Sequence, residues 1–263
     1  PGRRRTKTGY LWALARDDRA WSGADPPGVA YCYAPGRSGE HAERFLAGFT
    51  GTLQVDGYSG YNRLTQPDRP DGPIQLAYCW AHARRKLFEI AKGKTAPVAT
   101  EGLRRIAEFY EIERAIRGQT AEERLAARRR YAVGRVDAFG DWVESQRVRV
   151  SRKSPLGEAM AYIFKLWTGL SVYLEDGRVE IDSNCVERTI RPIALNRKNA
   201  LFAGHDAGGE NWGVIASLIE TAKLNQIEPF AYLRQTLEAI AAGHRQSQIE
   251  ELLPWNFDPA RPV

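Results

Sequence analysis

Cysteine is scarce in this chain: three among 263 residues, Cys32, Cys79 and Cys185. An odd number at wide spacing argues against a disulfide framework and points to a reducing compartment. Long apolar runs are also missing. No segment reads as a signal peptide or a membrane span, so no membrane partner and a cytoplasmic location are expected. The glycine-bearing stretch from Gly204 to Gly209 lacks the Lys-Ser/Thr of a phosphate-binding loop, which argues against a nucleotide site. Neither internal repeats nor low-complexity segments interrupt the chain.

What is present is a capacity to fold. Hydrophobic residues make up 43% and aromatics 10%, enough for a filled core. The length suits one large domain, or a domain carrying an insertion. Lys and Arg number 38 against 32 Asp and Glu, a net charge of +6. The excess is clustered at Arg3–Lys7, Arg84–Lys86, Arg128–Arg130, Arg147–Lys153 and Arg188–Lys198. Clustered arginine suits phosphate contacts; a solvated helix face is the plainer reading of each cluster.

Tyr10 to Arg16 and Val29 to Ala34 read as an antiparallel strand pair, by their aromatic and β-branched content. A helix from Ser38 to about Phe49 follows, then strands at Thr52–Val55 and Ile74–Trp80. This order predicts an α/β fold with a mixed sheet. Residues 83–92, 99–117, 120–147 and 155–175 read as helices, the last two with apolar positions at the helical period. A glycine-bearing loop is expected over 201–209, then helices at 210–224 and 229–242 and a short one before Pro254.

Few residues could carry chemistry. Asp56 ends an apolar strand and precedes Gly57. It points into the crevice where α/β sheets bind ligands, or it simply makes an Asp-Gly turn. Glu187 lies in a helix start among Arg188, Arg191, Arg197 and Lys198. A carboxylate among cations can hold a divalent metal beside a phosphate backbone. The Asn184–Glu187 spacing also fits a capping box. Cys79 and His82 have zinc-like spacing without a second pair, so a buried thiol with a hydrogen-bonding imidazole is the alternative.

Several segments together resemble the transposases of the insertion-sequence 66 family. They include Leu53-Gln-Val-Asp-Gly-Tyr-Ser-Gly-Tyr, Cys79-Trp-Ala-His-Ala-Arg-Arg-Lys, Glu180-Ile-Asp-Ser-Asn-Cys-Val-Glu-Arg-Thr-Ile-Arg-Pro, Leu218-Ile-Glu-Thr-Ala-Lys-Leu-Asn and Leu252-Leu-Pro-Trp-Asn. The likeness runs nearly end to end. It implies a ribonuclease-H-like core with an Asp-Asp-Glu triad binding two Mg²⁺ or Mn²⁺ ions. Asp56 matches the second Asp and Glu187 the Glu, while Cys79 and His82 match a supporting Cys-x-x-His motif. The implied organisation is a core over 1–82, a helical insertion over 83–180, the remaining core over 181–245 and a helical tail over 246–263.

The same resemblance implies metal-dependent cleavage and transfer of DNA at insertion-sequence ends. Arg188, Arg191, Arg197 and Lys198 would contact phosphates, with Asn184 in support. Transposon-end and target DNA, a homo-oligomer, accessory transposition proteins and a bacterial nucleoid setting follow as expected company. The family's first Asp lies upstream of the Thr6-Lys-Thr-Gly segment. The chain therefore reads as a fragment without that carboxylate, weakly active or inactive alone. A nuclease without strand transfer and a non-catalytic DNA-binding remnant are the rival readings.

Overall fold

The computed structural model describes residues 6–93, 95–200 and 202–259. Arg3, Arg4 and Arg5 of the first basic cluster, and Leu201 of the expected loop, lie outside the described residues. The chain is mixed α/β and divides into two compact units. One comprises residues up to Asp18, Ala24–His41 and Cys185 onward; the other comprises Arg19–Gly23 and Ala42–Asn184.

The first unit is built on an antiparallel pair, β1 (Tyr10–Arg16) and β2 (Gly28–Ala34), in register from Tyr10 opposite Ala34 to Arg16 opposite Gly28. Helices α8 (Asn184–Asn196), α9 (Asp206–Leu224) and α10 (Pro229–Ala241) belong mainly to it. Val29, Tyr31 and Ala216 form its buried centre, flanked by Leu11, Trp212 and Leu224. Helix α9 crosses β2 closely. A Cβ on Gly209 would stand 2.5 Å from the Tyr33 ring, and one on Gly213 would stand 2.6 Å from the Tyr31 carbonyl oxygen. This approach explains why α9 begins at Asp206, inside the stretch whose glycines suggest a loop. The glycines serve packing, and His205 caps the helix by accepting the Gly208 amide on Nδ1 at 3.3 Å.

Hydroxyls of α9 complete the free side of β2. Ser217 Oγ accepts the Tyr31 amide at 2.8 Å. Thr221 Oγ1 accepts the Val29 amide and donates to the Val29 carbonyl, both at 3.1 Å. Main-chain groups that would otherwise be buried without partners are satisfied this way.

The second unit holds a parallel pair, β3 (Thr52–Val55) and β4 (Gln75–Tyr78), and most of the helices. The two pairings form separate two-stranded ladders among the described residues, where the strand order suggests one mixed sheet. Helix α1 (Gly39–Phe45) precedes β3. Helices α2 (Trp80–Ala91), α3 (Pro97–Ala115), α4 (Ala121–Ala127), α5 (Val133–Arg147), α6 (Pro155–Lys165) and α7 (Trp167–Ser171) follow β4. Trp80, expected at the end of β4, instead opens α2 and is fully buried. Its ring meets Phe109 edge-on at 5.1 Å and Trp167 at 6.0 Å, and its indole N–H donates to the Leu170 carbonyl at 2.8 Å. Each such buried ring contributes a few kcal/mol through removal of apolar surface from water, about 1.5–3 for a large side chain.

The expected helix over 120–147 is broken by a π-helical turn, Arg128–Ala132. Arg128 is buried there, in a cluster that reads as surface in the sequence. It grips Glu113 with two parallel hydrogen bonds, 2.8 Å from Nε and 2.7 Å from Nη2. Its Nη1 donates to the carbonyls of Tyr173 and Asp176. Buried Arg124 joins Glu113 at 3.2 Å and also pairs with Glu180. Such bidentate pairing is what lets an arginine leave water.

Candidate functional site

Parallel pairing of β3 and β4 sets Val55 opposite Tyr78, so Asp56 and Cys79 leave adjacent strands at the same level. The chain then turns sharply after Asp56. Gly57 has φ +90°, and a Cβ there would lie 3.1 Å from Leu166 and 3.2 Å from the Tyr162 hydroxyl. Only glycine meets both demands without strain. Asp56 Oδ1 accepts the Tyr58 amide at 2.9 Å, the expected turn. The turn does not exhaust the carboxylate: Asp56 is exposed, and its Oδ2 has no hydrogen-bond partner among the described residues. Tyr162, from α6, donates its hydroxyl to the Asp56 carbonyl at 3.2 Å. Burial and the Asp56 charge push the Tyr162 phenol above its ordinary pKa, so it stays a donor.

Cys79 is buried and accepts the Ser183 amide on Sγ at 3.3 Å. Burial pushes its thiol pKa up, but hydrogen bonds from His82 and Ser183 outweigh this and leave it below the usual value. The thiol and imidazole thus serve each other beside the strand ends. Trp80 donates its amide to the Ile181 carbonyl at 3.1 Å, and Gln54 donates its side-chain amide to the Glu180 carbonyl at 2.6 Å. Together these bonds fasten residues 180–183 against the ends of β3 and β4.

The start of α8 differs from the expected capping box. Asp182 Oδ1 accepts the Asn184 amide at 3.0 Å, and Oδ2 accepts the Asn184 side-chain amide at 2.6 Å. Asn184 is the first helical residue, and Asp182, not Glu187, takes its amide. Asp182 also raises the pKa of neighbouring Tyr110, after burial, the larger cause. Glu187 sits in the first turn of α8, where the helix dipole favours a carboxylate.

Arg188, Arg191, Arg197 and Lys198 are all exposed, and none forms an ion pair among the described residues. Pro192 removes one hydrogen bond inside this helix. Asp56 belongs to one unit and Glu187 to the other. The acids near the chain's start are engaged elsewhere: Asp18 and Asp25 both pair with Arg16, and Asp17 accepts a hydrogen bond from the Cys185 thiol at 3.6 Å.

Tyr162, Asp182 and Ser183 were not legible as site residues. Asp182 lies within the motif that runs from Glu180 to Pro192, where the Asn184–Glu187 spacing draws the capping role to Glu187 instead. Tyr162 is 106 positions from Asp56 and carries no motif.

The uncharacterized protein y4jD of Sinorhizobium fredii (strain NBRC 101917 / NGR234) is 45% identical over 98% of this chain and 51% of its own length. The uncharacterized protein y4qI of the same strain is 43% identical over 98% of this chain and 49% of its own. The chain therefore spans about half the length of these curated relatives. No solved structure matches significantly. The family described as "Transposase IS66 family" matches residues 1–211, and "IS66 C-terminal element" matches residues 217–255. With those matches covering most of its length, the chain belongs to the IS66 transposase family.

Proposed function

We propose that this chain carries catalytic machinery of a DNA transposase, in which Asp56 and Glu187 hold divalent metal ions and Arg188, Arg191, Arg197 and Lys198 bind DNA phosphates. The observation that carries the reading is the state of Asp56. It stands at the carboxyl end of a parallel strand, one oxygen fixed by the Tyr58 amide and the other open. Hard carboxylate oxygens suit Mg²⁺ or Mn²⁺, which take oxygen ligands and retain waters, so few side chains suffice. Two bound ions would supply Lewis acidity at the attacking and leaving oxygens of phosphoryl transfer.

The chain's own groups do the positioning. The Tyr58 amide and the Tyr162 hydroxyl hold the Asp56 turn from two sides. Cys79, His82 and Ser183 fasten the segment leading into the Glu187 helix. Exposed arginines without acidic partners are available to phosphates, which places DNA without reading its sequence. An antiparallel hairpin, a following helix and a parallel pair are the local pairings of a ribonuclease-H-like core, which is the fold we propose. Pairing of two transposon ends calls for at least two copies on DNA.

Titration with Mn²⁺, followed by electron paramagnetic resonance, tests the metal assignment. Asp56→Asn and Glu187→Gln should each weaken binding while leaving the fold intact; wild-type affinity in either variant rejects it. Cleavage and joining of labelled transposon-end DNA by the full-length protein tests the reaction. Cleavage with no joined product would favour the nuclease reading.

A further inference from the structure

Helices α2 and α3 enclose an open cleft of about 570 Å³, wholly within the second unit. Arg84, Arg85 and Arg114 line it, with Phe88 and Tyr110, and Asn184 at its edge. None of the three arginines forms an ion pair among the described residues, although Glu89 and Glu111 share the cleft. Their charge is thus not spent on a carboxylate. Phe88 is 42% exposed, with the Arg84 guanidinium 5.8 Å from its ring centroid. A large ring left exposed on a helix gains nothing for the core. Beside the Arg84 guanidinium, it offers a flat apolar face next to a cation. Tyr110 forms a wall and remains a neutral phenol, because burial and Asp182 hold its proton.

Cations alone would fit any polyanion, duplex DNA included. The aromatic face adds a requirement that a paired helix cannot meet, because its bases are already stacked on one another. A single strand meets both, with phosphates for the arginines and an unpaired base for the ring. Asn184, the first residue of α8, lies at the edge of this cleft.

We propose that the α2–α3 cleft binds single-stranded DNA, with Arg84, Arg85 and Arg114 on its phosphates and Phe88 stacked on an unpaired base. The inference deepens the transposase reading by naming a site for a strand separated from its duplex, and it rests on that reading for the identity of the nucleic acid.

Fluorescence anisotropy of the full chain with labelled oligothymidine, a duplex and an RNA of equal length tests it. EDTA is present throughout, so no metal site contributes. Phe88→Ala should weaken single-strand binding about tenfold and leave duplex binding unchanged, and Phe88→Trp should restore it. Arg84→Ala, Arg85→Ala and Arg114→Ala combined should lower the single-strand salt slope by about 2, from about 0.7 per phosphate contact. Circular dichroism confirms that each variant is folded. Equal effects of Phe88→Ala on single strand and duplex, a preference for RNA, or wild-type binding by both variants would overturn the proposal. So would a chain that binds neither DNA form. In each of these cases the Mn²⁺ titration of Asp56→Asn still decides the metal assignment independently.

Discussion

The hydroxyl of Tyr162 donates to the main-chain carbonyl of Asp56 at 3.2 Å, tying a helix of the helical block to the turn that presents a candidate metal ligand. Tyr162→Phe keeps the ring and removes only this bond. We expect a loss of about 0.5–1.5 kcal/mol in urea unfolding. A larger effect on Mn²⁺ affinity than on stability would mark Tyr162 as a positioning residue. If the affinity is unchanged, the bond is structural only.

Gly57 should be less forgiving. Gly57→Ala places a side chain at φ +90°, where Leu166 and Tyr162 already crowd it. The expected cost exceeds about 1 kcal/mol, beyond the usual penalty for alanine in a left-handed position. Unfolding midpoints with matched denaturant slopes measure it.

The Glu113 carboxylate faces two buried guanidinium groups. Glu113→Gln should destabilise the second unit by about 3–5 kcal/mol, since it leaves buried charge uncompensated. A change below about 1 kcal/mol in chemical denaturation would show that the arginines find other partners.

Tyr31 predicts a pH limit for the first unit. Burial lifts its pKa from an ordinary 10.0 to about 12. The folded state therefore binds this proton more tightly than the unfolded chain does. Its contribution is fully present below pH 10 and is lost as pH rises through about 12. Tyr31→Phe should flatten the alkaline fall in stability across that window. It should also cost about 1 kcal/mol at neutral pH, from the lost bond to the Thr189 carbonyl. Parallel melts of both proteins from about pH 8 upward, starting below the ordinary tyrosine value, check the sign.

Local patterns were legible where the chemistry is local. The strand β1 and the Asp56 turn follow directly from their own residues, and β2 differs from its expected span by one position. Long helices were legible from apolar spacing, but their breaks were not. The π-helical turn at Arg128 accompanies a grip on Glu113, 15 positions away, and consecutive arginines ordinarily read as surface. Gly209 reads as loop because its reason is the distant strand β2, where the Tyr33 ring leaves no room for a Cβ. At the site, Asn184 and Glu187 have the spacing of a cap, yet Asp182 takes the amide because it already stands two residues back.

The hydroxyls of Ser217 and Thr221 along β2 have a consequence for assembly. Where the Val29 amide and carbonyl and the Tyr31 amide are already answered by its own helix, β2 offers no template for a foreign strand. If copies gather on DNA as proposed, they would not join by extending the sheet through this part of β2. They would meet through side-chain surfaces or through the nucleic acid itself, associations that can be undone without unzipping either fold.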